Sequence, residues 1–266
     1  MSALSAKWTA VARAAMPRGR NFHPEMADMA IPAVKAGRLR RSPADTARTR
    51  SRPGWLRRLL RDNRADGSAA VLSYRFLARQ IDVDLPHTGG GRTILISSSV
   101  PQASSNEAVL MFAHAMVAEL GSQILVVDGT LGDAAVGDLL GHAGDAGLID
   151  FIHDHDRSVA DLIKPTSRRN ICILPAGRPR SGDLQPMEAA RVVSLYTQAR
   201  NRFDYILIQQ GPIILDTRYL IFAAKADLVL VLVEEGVTHL SELDRCLDTF
   251  SSHQIADVRL VLCAPP

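Results

Sequence analysis

The sequence predicts a three-layer α/β fold built on a mainly parallel sheet, and three observations lead to this prediction. Short apolar runs alternate with helical patterns from about residue 69 onwards, as in parallel sheets that helices cover on both faces. Hydrophobic residues make up 47% of the chain and charged residues 22%, which is the balance of a globular protein. Only 5% of the residues are aromatic, which favours an aliphatic α/β core over an aromatic-rich sandwich or barrel.

The alternating region contains six predicted strands and five predicted helices. The strands are expected at residues 93–97, 123–128, 170–174, 205–208, 228–233 and 258–263. The helices are expected at residues 68–81, 105–120, 186–201, 216–225 and 240–252. Because ligands bind beyond the carboxyl ends of the strands in such sheets, the loops after the first, second and fourth strands are the candidate site.

The first 68 residues are predicted to form a flexible basic arm ahead of a folded domain at 69–266. Residues 1–70 contain 15 Lys and Arg against 5 Asp and Glu, a net charge of +10. The remaining residues carry 16 against 23, a net charge of −7. Such an arm suits an anionic membrane surface or an acidic partner, and is otherwise a solvated tail. We do not expect nucleic acid as its partner.

One short segment of the arm has the pattern of a basic amphipathic helix. Its apolar members are Trp55, Leu56, Leu59 and Leu60, and its arginines are Arg57, Arg58 and Arg61. At helical spacing this segment suits a lipid headgroup surface or an acidic partner, or it docks on the chain's own domain.

The cysteines and the apolar runs indicate a cytoplasmic protein. Cys172, Cys246 and Cys263 form no CxxC pair, so we expect plain thiols in a reducing compartment. The N-terminus lacks the apolar core of a signal peptide, and no stretch approaches the roughly 20 apolar residues of a membrane span. We therefore expect a peripheral protein at the inner face of the plasma membrane, held there by the arm or by a partner.

Six segments in a fixed order resemble one known family. They are 73–77 (SYRFL), 94–101 (ILISSSVP), 124–128 (ILVVD), 147–150 with 159–165 and 174–177 (GL-D followed by LPAG), 203–208 (FDYILI) and 226–231 (ADLVLV). In this order they resemble the cytoplasmic tyrosine kinases of capsule and exopolysaccharide export, the CpsD/CapB type, which are relatives of the MinD and ParA ATPases. The resemblance runs from Val71 to the C-terminus and implies a P-loop NTPase-like fold.

The phosphate loop that this resemblance implies lacks the family's working residues. A working loop reads Gly-x4-Gly-Lys-Ser/Thr, because its glycines let backbone N–H groups wrap the phosphates. Its lysine neutralises their charge and its hydroxyl holds Mg²⁺. The four signature positions here are Ser99, Ser104, Ser105 and Asn106. Together with Asp128 they are the candidate nucleotide-binding residues.

The Mg²⁺ positions implied by the resemblance are also altered. Asp128 is retained after the second strand, but Thr130 stands where the family has its next Asp. Gln209 replaces the family's Walker B Asp, and a neutral amide is a poor Mg²⁺ ligand. We therefore predict no catalytic residue and no required cofactor, with weak ATP binding through the serine hydroxyls as the alternative.

The start of the helix after the loop has the Ser-x-x-Glu form of a capping box. Ser104 is expected to accept from the backbone N–H of Glu107, whose carboxylate reaches back to the cap. Such a cap would occupy the N–H groups that a phosphate otherwise binds.

Two further motifs of this family match the sequence only in part or not at all. Kinases of this type end in a tyrosine cluster, whereas residues 262–266 contain none. The family's ring-forming Glu-x2-Arg-x2-Arg motif is partial, with Leu72 at the Glu position, Arg75 retained and Arg79 one place late. By resemblance we expect Arg75 and Arg79 at a subunit or partner interface.

A run of alternating His and Asp residues at 153–156 is assigned to a solvated turn and not to a metal site, because closed sites need ligands from several elements.

The sequence therefore favours a non-catalytic, pseudokinase-like component of exopolysaccharide or capsular polysaccharide biosynthesis and export. By resemblance its partner is a membrane chain-length-determinant (polysaccharide co-polymerase) protein, and it self-associates. Two alternatives stay open: an active tyrosine kinase or ATPase with an unorthodox site centred on Asp128, and a MinD/ParA-like positioning protein.

Overall fold

The computed structural model describes residues 69–86, 89–99, 104–130, 136–177, 187–234 and 236–263. The predicted arm, with its amphipathic segment, lies outside the described residues. The helices are α1 (Ala69–Asp84), α2 (Ser104–Leu120), α3 (Val136–Leu140), α4 (Leu148–His153), α5 (Val159–Leu162), α6 (Ala189–Arg200), α7 (Tyr219–Ala223) and α8 (Leu240–Ser252). The strands are β1 (Arg92–Ser98), β2 (Ile124–Asp128), β3 (Lys164–Pro165), β4 (Ile171–Leu174), β5 (Tyr205–Gln209), β6 (Leu228–Glu234) and β7 (Val258–Cys263).

The strands form one seven-stranded sheet in the order β3-β4-β2-β5-β1-β6-β7. All neighbours pair in parallel except β3, which runs antiparallel to β4 at the edge. The α/β fold with a mainly parallel sheet, predicted from the alternating pattern, is confirmed.

Helices cover both faces of the sheet because its central strands are apolar on both sides. Successive residues of a strand point to opposite faces. In β1, Ile94 and Ile96 pack in one buried cluster with α1, α2 and α3. Leu95 packs in a second cluster with α4 to α8. The result is the predicted three-layer arrangement.

The amino ends of the parallel strands, here called the amino edge of the sheet, are held to α1 by a mostly buried ionic cluster. The Arg92 guanidinium bonds to Asp82 Oδ1 at 2.7 Å and to the carbonyl of Leu85 at 3.1 Å. The Tyr205 hydroxyl donates to the same Asp82 oxygen at 2.6 Å. Because Arg92 and Tyr205 begin neighbouring strands and Asp82 lies on α1, these bonds fix α1 against the sheet.

Three short helices and the antiparallel strand were absent from the sequence prediction, and two predicted helices, at 186–201 and 216–225, are shorter in the structure. The fourth predicted helix begins at Tyr219 and not at residue 216, because the Asp216 carboxylate accepts from the backbone N–H of Arg218 at 2.9 Å. Such Asp turns compete with helix formation. None of the helices within the described ranges is long and apolar enough to cross a membrane.

Candidate functional site

The carboxyl ends of three central strands bring the predicted site residues together. Asp128, the last residue of β2, is the register partner of Gln209, the last residue of β5. On the other side of β5, Ile96 of β1 pairs with Gln209, so the serines that follow Ile96 lie beside it. The candidate Walker positions on these strands therefore lie together at the carboxyl ends of the parallel strands, here called the carboxyl edge of the sheet.

Asp128 is fully buried and its carboxylate binds backbone N–H groups. Oδ2 accepts from Gly137 N at 2.8 Å and from Val136 N at 3.1 Å. Oδ1 accepts from the backbone N–H of Thr130 at 3.3 Å and from the Thr130 hydroxyl. Because Val136 and Gly137 begin α3, Asp128 supplies the acceptor that a helix N-terminus needs. A family position expected to serve Mg²⁺ thus has a structural task here.

The two glutamines at the end of β5 contrast with Asp128. Gln209 and Gln210 are 2% and 0% exposed, yet several of their amide atoms find no hydrogen-bond partner within the described part of the chain. The atoms concerned are Oε1 of Gln209 and both Oε1 and Nε2 of Gln210. Buried polar atoms of this kind usually have partners, so each one needs a physical explanation.

The sequence analysis gave Gln210 no role of its own. Its signal was a second polar residue at the end of an otherwise apolar strand, directly after Gln209. Only the structure shows that both amides are buried at the candidate site.

The first turn of α2 contributes the loop positions. Ser105 is 4% exposed, and the Oδ1 atom of Asn106 is buried without a hydrogen-bond partner in the described residues. Ser99, at the end of β1, is also buried, and its hydroxyl lies 3.4 Å from that of Thr238 in the loop after β6. The side chain of Ser104 lies outside the described part, so its role stays a prediction.

The predicted capping box stays a prediction, because the side chain of Ser104 and residues 100–103 lie outside the described part. α2 begins at Ser104 itself, and the Oε2 atom of Glu107 is buried with no hydrogen bond to any described residue. Burial raises the pKa of this carboxyl above its ordinary value. The charge of Glu107 in turn helps to raise the pKa of the buried Tyr74 phenol.

The GL-D and LPAG segments form one structural unit beside the site. Leu148 N donates to Pro175 O and Ile149 N to Ala176 O, both at 2.8 Å. A Cβ atom on Gly147 would stand 2.0 Å from Pro175 O, so only glycine permits this contact. The Asp150 carboxylate accepts from Gly147 N at 2.9 Å. These motif residues hold two loops together, which accounts for them without chemistry.

The two predicted interface arginines bind within the chain. The Arg75 Nε donates to Glu119 Oε1 of α2, and Arg79 Nη2 donates to the Glu119 carbonyl at 2.8 Å. Both therefore contribute to the packing of α1 on α2. Their role between subunits stays a prediction.

The His-Asp run belongs to a turn. Asp154 binds the Arg157 guanidinium at 3.0 Å and the backbone N–H of Asp156 at 3.1 Å. Across the described ranges, no three His, Cys, Asp or Glu side chains are grouped as metal ligands.

Comparison with known proteins places this geometry among nucleotide-binding folds. The kinase domain of the Escherichia coli tyrosine kinase Etk superimposes with a TM-score of 0.66, at 14% identity, over 79% of this chain and 87% of that domain. A ParA family ATPase from Chlorobium tepidum gives 0.54, at 19% identity, over 65% of this chain and 73% of the ATPase. The fold is therefore that of the P-loop class that includes the ParA ATPases and the bacterial tyrosine kinases.

No family model matches the chain. Individual proteins, however, are similar to it in sequence. The tyrosine-protein kinase Wzc of Salmonella typhimurium is 24% identical over 61% of this chain and 22% of its own length. The succinoglycan biosynthesis transport protein ExoP of Rhizobium meliloti is 29% identical over 55% of this chain and 19% of its own length. This chain is thus similar in sequence to a part of Wzc and a part of ExoP, and it spans about a fifth of those longer relatives.

Proposed function

We propose that this protein is a non-catalytic component of exopolysaccharide or capsular polysaccharide biosynthesis and export, acting at the cytoplasmic face of the membrane. It works by binding other components and not by transferring phosphate. The observation that carries this proposal is the state of the carboxyl edge. Asn106 and Gln209 are neutral at Mg²⁺ positions, and the one retained carboxylate, Asp128, accepts from the N-terminus of α3.

Charge supports the same conclusion. A working site places a lysine and a Mg²⁺ ion against the phosphates, whereas Ser105 stands at the lysine position. Glu107 adds a carboxylate in the first turn of α2, where burial already disfavours its charged form. A polyphosphate here would bring several further negative charges into a partly buried place, which strengthens the repulsion.

The proposed partner is a membrane chain-length-determinant (polysaccharide co-polymerase) protein. Support comes from the similarity to ExoP, whose name describes transport in succinoglycan biosynthesis. Self-association and contact of the basic arm with anionic membrane belong to the same proposal. We place Arg75 and Arg79 at the subunit interface, although Glu119 holds both within the chain.

The interface role needs a test that separates association from folding. Arg75→Glu alone would face Glu119 with a like charge and would lower stability for that reason. The variant Arg75→Gln removes the charge but keeps an amide that can donate to Glu119, and it leaves the ion pair of Glu119 with Arg79 at 3.7 Å in place. If Arg75 serves an interface, this variant keeps the wild-type melting temperature but associates more weakly in sedimentation. Normal association would remove Arg75 from the proposed interface.

A second candidate function has one observation in its favour. The buried amides of Gln209 and Gln210 leave polar atoms at the site without a partner among the described residues. An unorthodox ATP site, used by an active kinase or ATPase, would employ such atoms as ligand contacts.

Complementation of a deletion strain separates the two functions. Asp128→Asn removes the charge that a Mg·ATP enzyme of this fold needs. In a binding component it costs stability only, about 2–3 kcal/mol, because the amide nitrogen of Asn cannot accept from the donors that one carboxylate oxygen now serves. We expect this variant to restore polysaccharide export when its cellular level matches that of the wild type. Loss of export at a matched level, or phosphotyrosine on the purified wild-type protein, would favour the kinase.

A further inference from the structure

α1 carries an apolar stripe on the side that faces away from the domain. Leu72, Phe76 and Val83 are 53%, 67% and 81% exposed. At about 100° per residue, the three side chains fall within about 40° of one another around the helix. Of the seven large apolar side chains that are exposed in the described ranges, three belong to this helix. Single exposed apolar residues are ordinary, but a row on one helix indicates a covered surface.

The stripe cannot be turned inward, because the opposite side of α1 is already used. Tyr74, Leu77 and Ile81 are buried in the core cluster with α2. The flanking Arg75 and Arg79 are held by Glu119, which directs their charge toward α2. Arg79 lies about 20° from Leu72 around the helix and its side chain is 57% exposed, so the apolar part of the row is the pair Leu72 and Phe76, which fits the apolar side of another short helix.

The chain carries a segment of this chemistry directly upstream. In residues 55–60, the apolar members are Trp55, Leu56, Leu59 and Leu60. On a helix they would share an arc of about 140°, with the neighbouring arginines on the opposite side. Residues 61–68, which separate this segment from Ala69, match the 2–8 residues that usually connect two packed helices.

We propose that residues 55–60 dock as a helix, antiparallel to α1, on Leu72 and Phe76. Docking places Trp55 and the leucines on the stripe and leaves the arginines in solvent. Val83 lies about 10 Å farther along α1 and is not covered by so short a segment. The consequence is control of the basic arm: while docked, its apolar side is withheld from membranes and from other proteins. This inference does not depend on whether the nucleotide site is active.

Tryptophan fluorescence tests the proposal in the full chain. The only two tryptophans are Trp8 and Trp55, so Trp8→Phe leaves Trp55 as the single reporter of the segment. Docking predicts a blue-shifted emission and weak quenching by acrylamide. Adding Leu72→Ser and Phe76→Ser should shift the emission to the red and raise the quenching constant several-fold. Val193→Ser, at a side chain 44% exposed on α6, is the matched control and should change neither.

Three results would overturn the proposal. Trp55 could be solvent-exposed in the free protein and become shielded only on vesicles of phosphatidylglycerol, which would assign the segment to the membrane. Its blue shift could vanish on dilution, which would assign the stripe to a second copy of the chain. Or its emission could ignore the Leu72 and Phe76 substitutions while circular dichroism shows a folded protein, which would place the segment elsewhere.

Discussion

At the amino edge of the sheet, Arg92, Asp82 and Tyr205 are joined by short hydrogen bonds and a buried ion pair. At the carboxyl edge, Gln209 and Gln210 are at least as deeply buried, but several of their amide atoms have no partner among the described residues. β1 and β5 contribute residues to both edges, so the contrast does not come from two different sets of strands. An edge that serves only folding is expected to pair its polar groups.

The contrast indicates that the amino edge of the sheet serves mainly the stability of the fold. The amino edge holds α1 against β1 and β5, and the side chains of Arg92, Asp82 and Tyr205 all have hydrogen-bond partners there. The carboxyl edge keeps buried polar groups, and we propose that it lacks the charged groups that make Mg·ATP bind. Asp128 is the exception at this edge, because the start of α3 uses its carboxylate as a cap.

The largest expected effect comes from breaking the amino edge. Arg92→Leu leaves the partly buried Asp82 carboxylate without its cation, so we expect a loss of about 3 kcal/mol in the free energy of unfolding. Urea unfolding measures this. Tyr205→Phe removes only one hydrogen bond to Asp82 and serves as the control, with a loss of about 1 kcal/mol. An Arg92→Leu variant as stable as the wild type would remove the contrast between the edges.

At the carboxyl edge the sign should reverse. Gln210→Met replaces two buried atoms that have no partner among the described residues with apolar ones of similar volume, so we expect a gain of about 1 kcal/mol. The matched control is Gln123→Met at an exposed position, which should leave the urea midpoint unchanged. A loss of stability in Gln210→Met would mean that the amide has a partner in solution, such as an ordered water, and would sharpen the search for a ligand.

The smallest effect is a pH-dependent one at Glu107. Burial raises the pKa of this carboxyl in the folded state, so folding takes up a proton between the unfolded and folded pKa values. Its stability contribution is therefore complete below the unfolded pKa, about 4.3, and is lost as the pH rises through the folded pKa. Glu107→Gln has no such dependence and should be the more stable protein at pH 7.

Two opposing terms keep that gain small. The carboxyl is only about half buried, so solvent screening holds the gain below about 1 kcal/mol. The N-terminus of α2 also favours a negative charge by roughly 0.5 kcal/mol. Thermal melting of both proteins from pH 4 to pH 8 gives the comparison, and the curves should converge at the acid end. A constant difference across this range would assign the effect to something other than titration of Glu107.

The sequence predicted the fold well because apolar runs report burial directly. β7 has the predicted bounds, β2, β4, β5 and β6 differ by one residue at one end, and β1 is one residue longer at both ends. The short helices α3, α4 and α5 were missed because local bonds hold them. For α3 this is the carboxylate of Asp128, eight residues upstream of Val136. Spacing in the sequence does not show such a bond.

The candidate site was predicted in position but not in its internal contacts. The resemblance placed Asp128 and Gln209 after neighbouring strands, and the register brings them side by side. The pairing of Arg75 with Glu119, 44 residues apart, depends on the packing of two helices.

The most direct test of the central claim, that this carboxyl edge does not hold Mg·ATP, is a calorimetric titration of the full chain with ATP in the presence and absence of Mg²⁺. Without a lysine at Ser105, and with Asn106 and Gln209 at the Mg²⁺ positions, the phosphates meet no compensating charge there. We predict no saturable heat at micromolar to low-millimolar ATP and no effect of Mg²⁺. A saturable isotherm with micromolar affinity that is lost when Mg²⁺ is chelated would contradict the account.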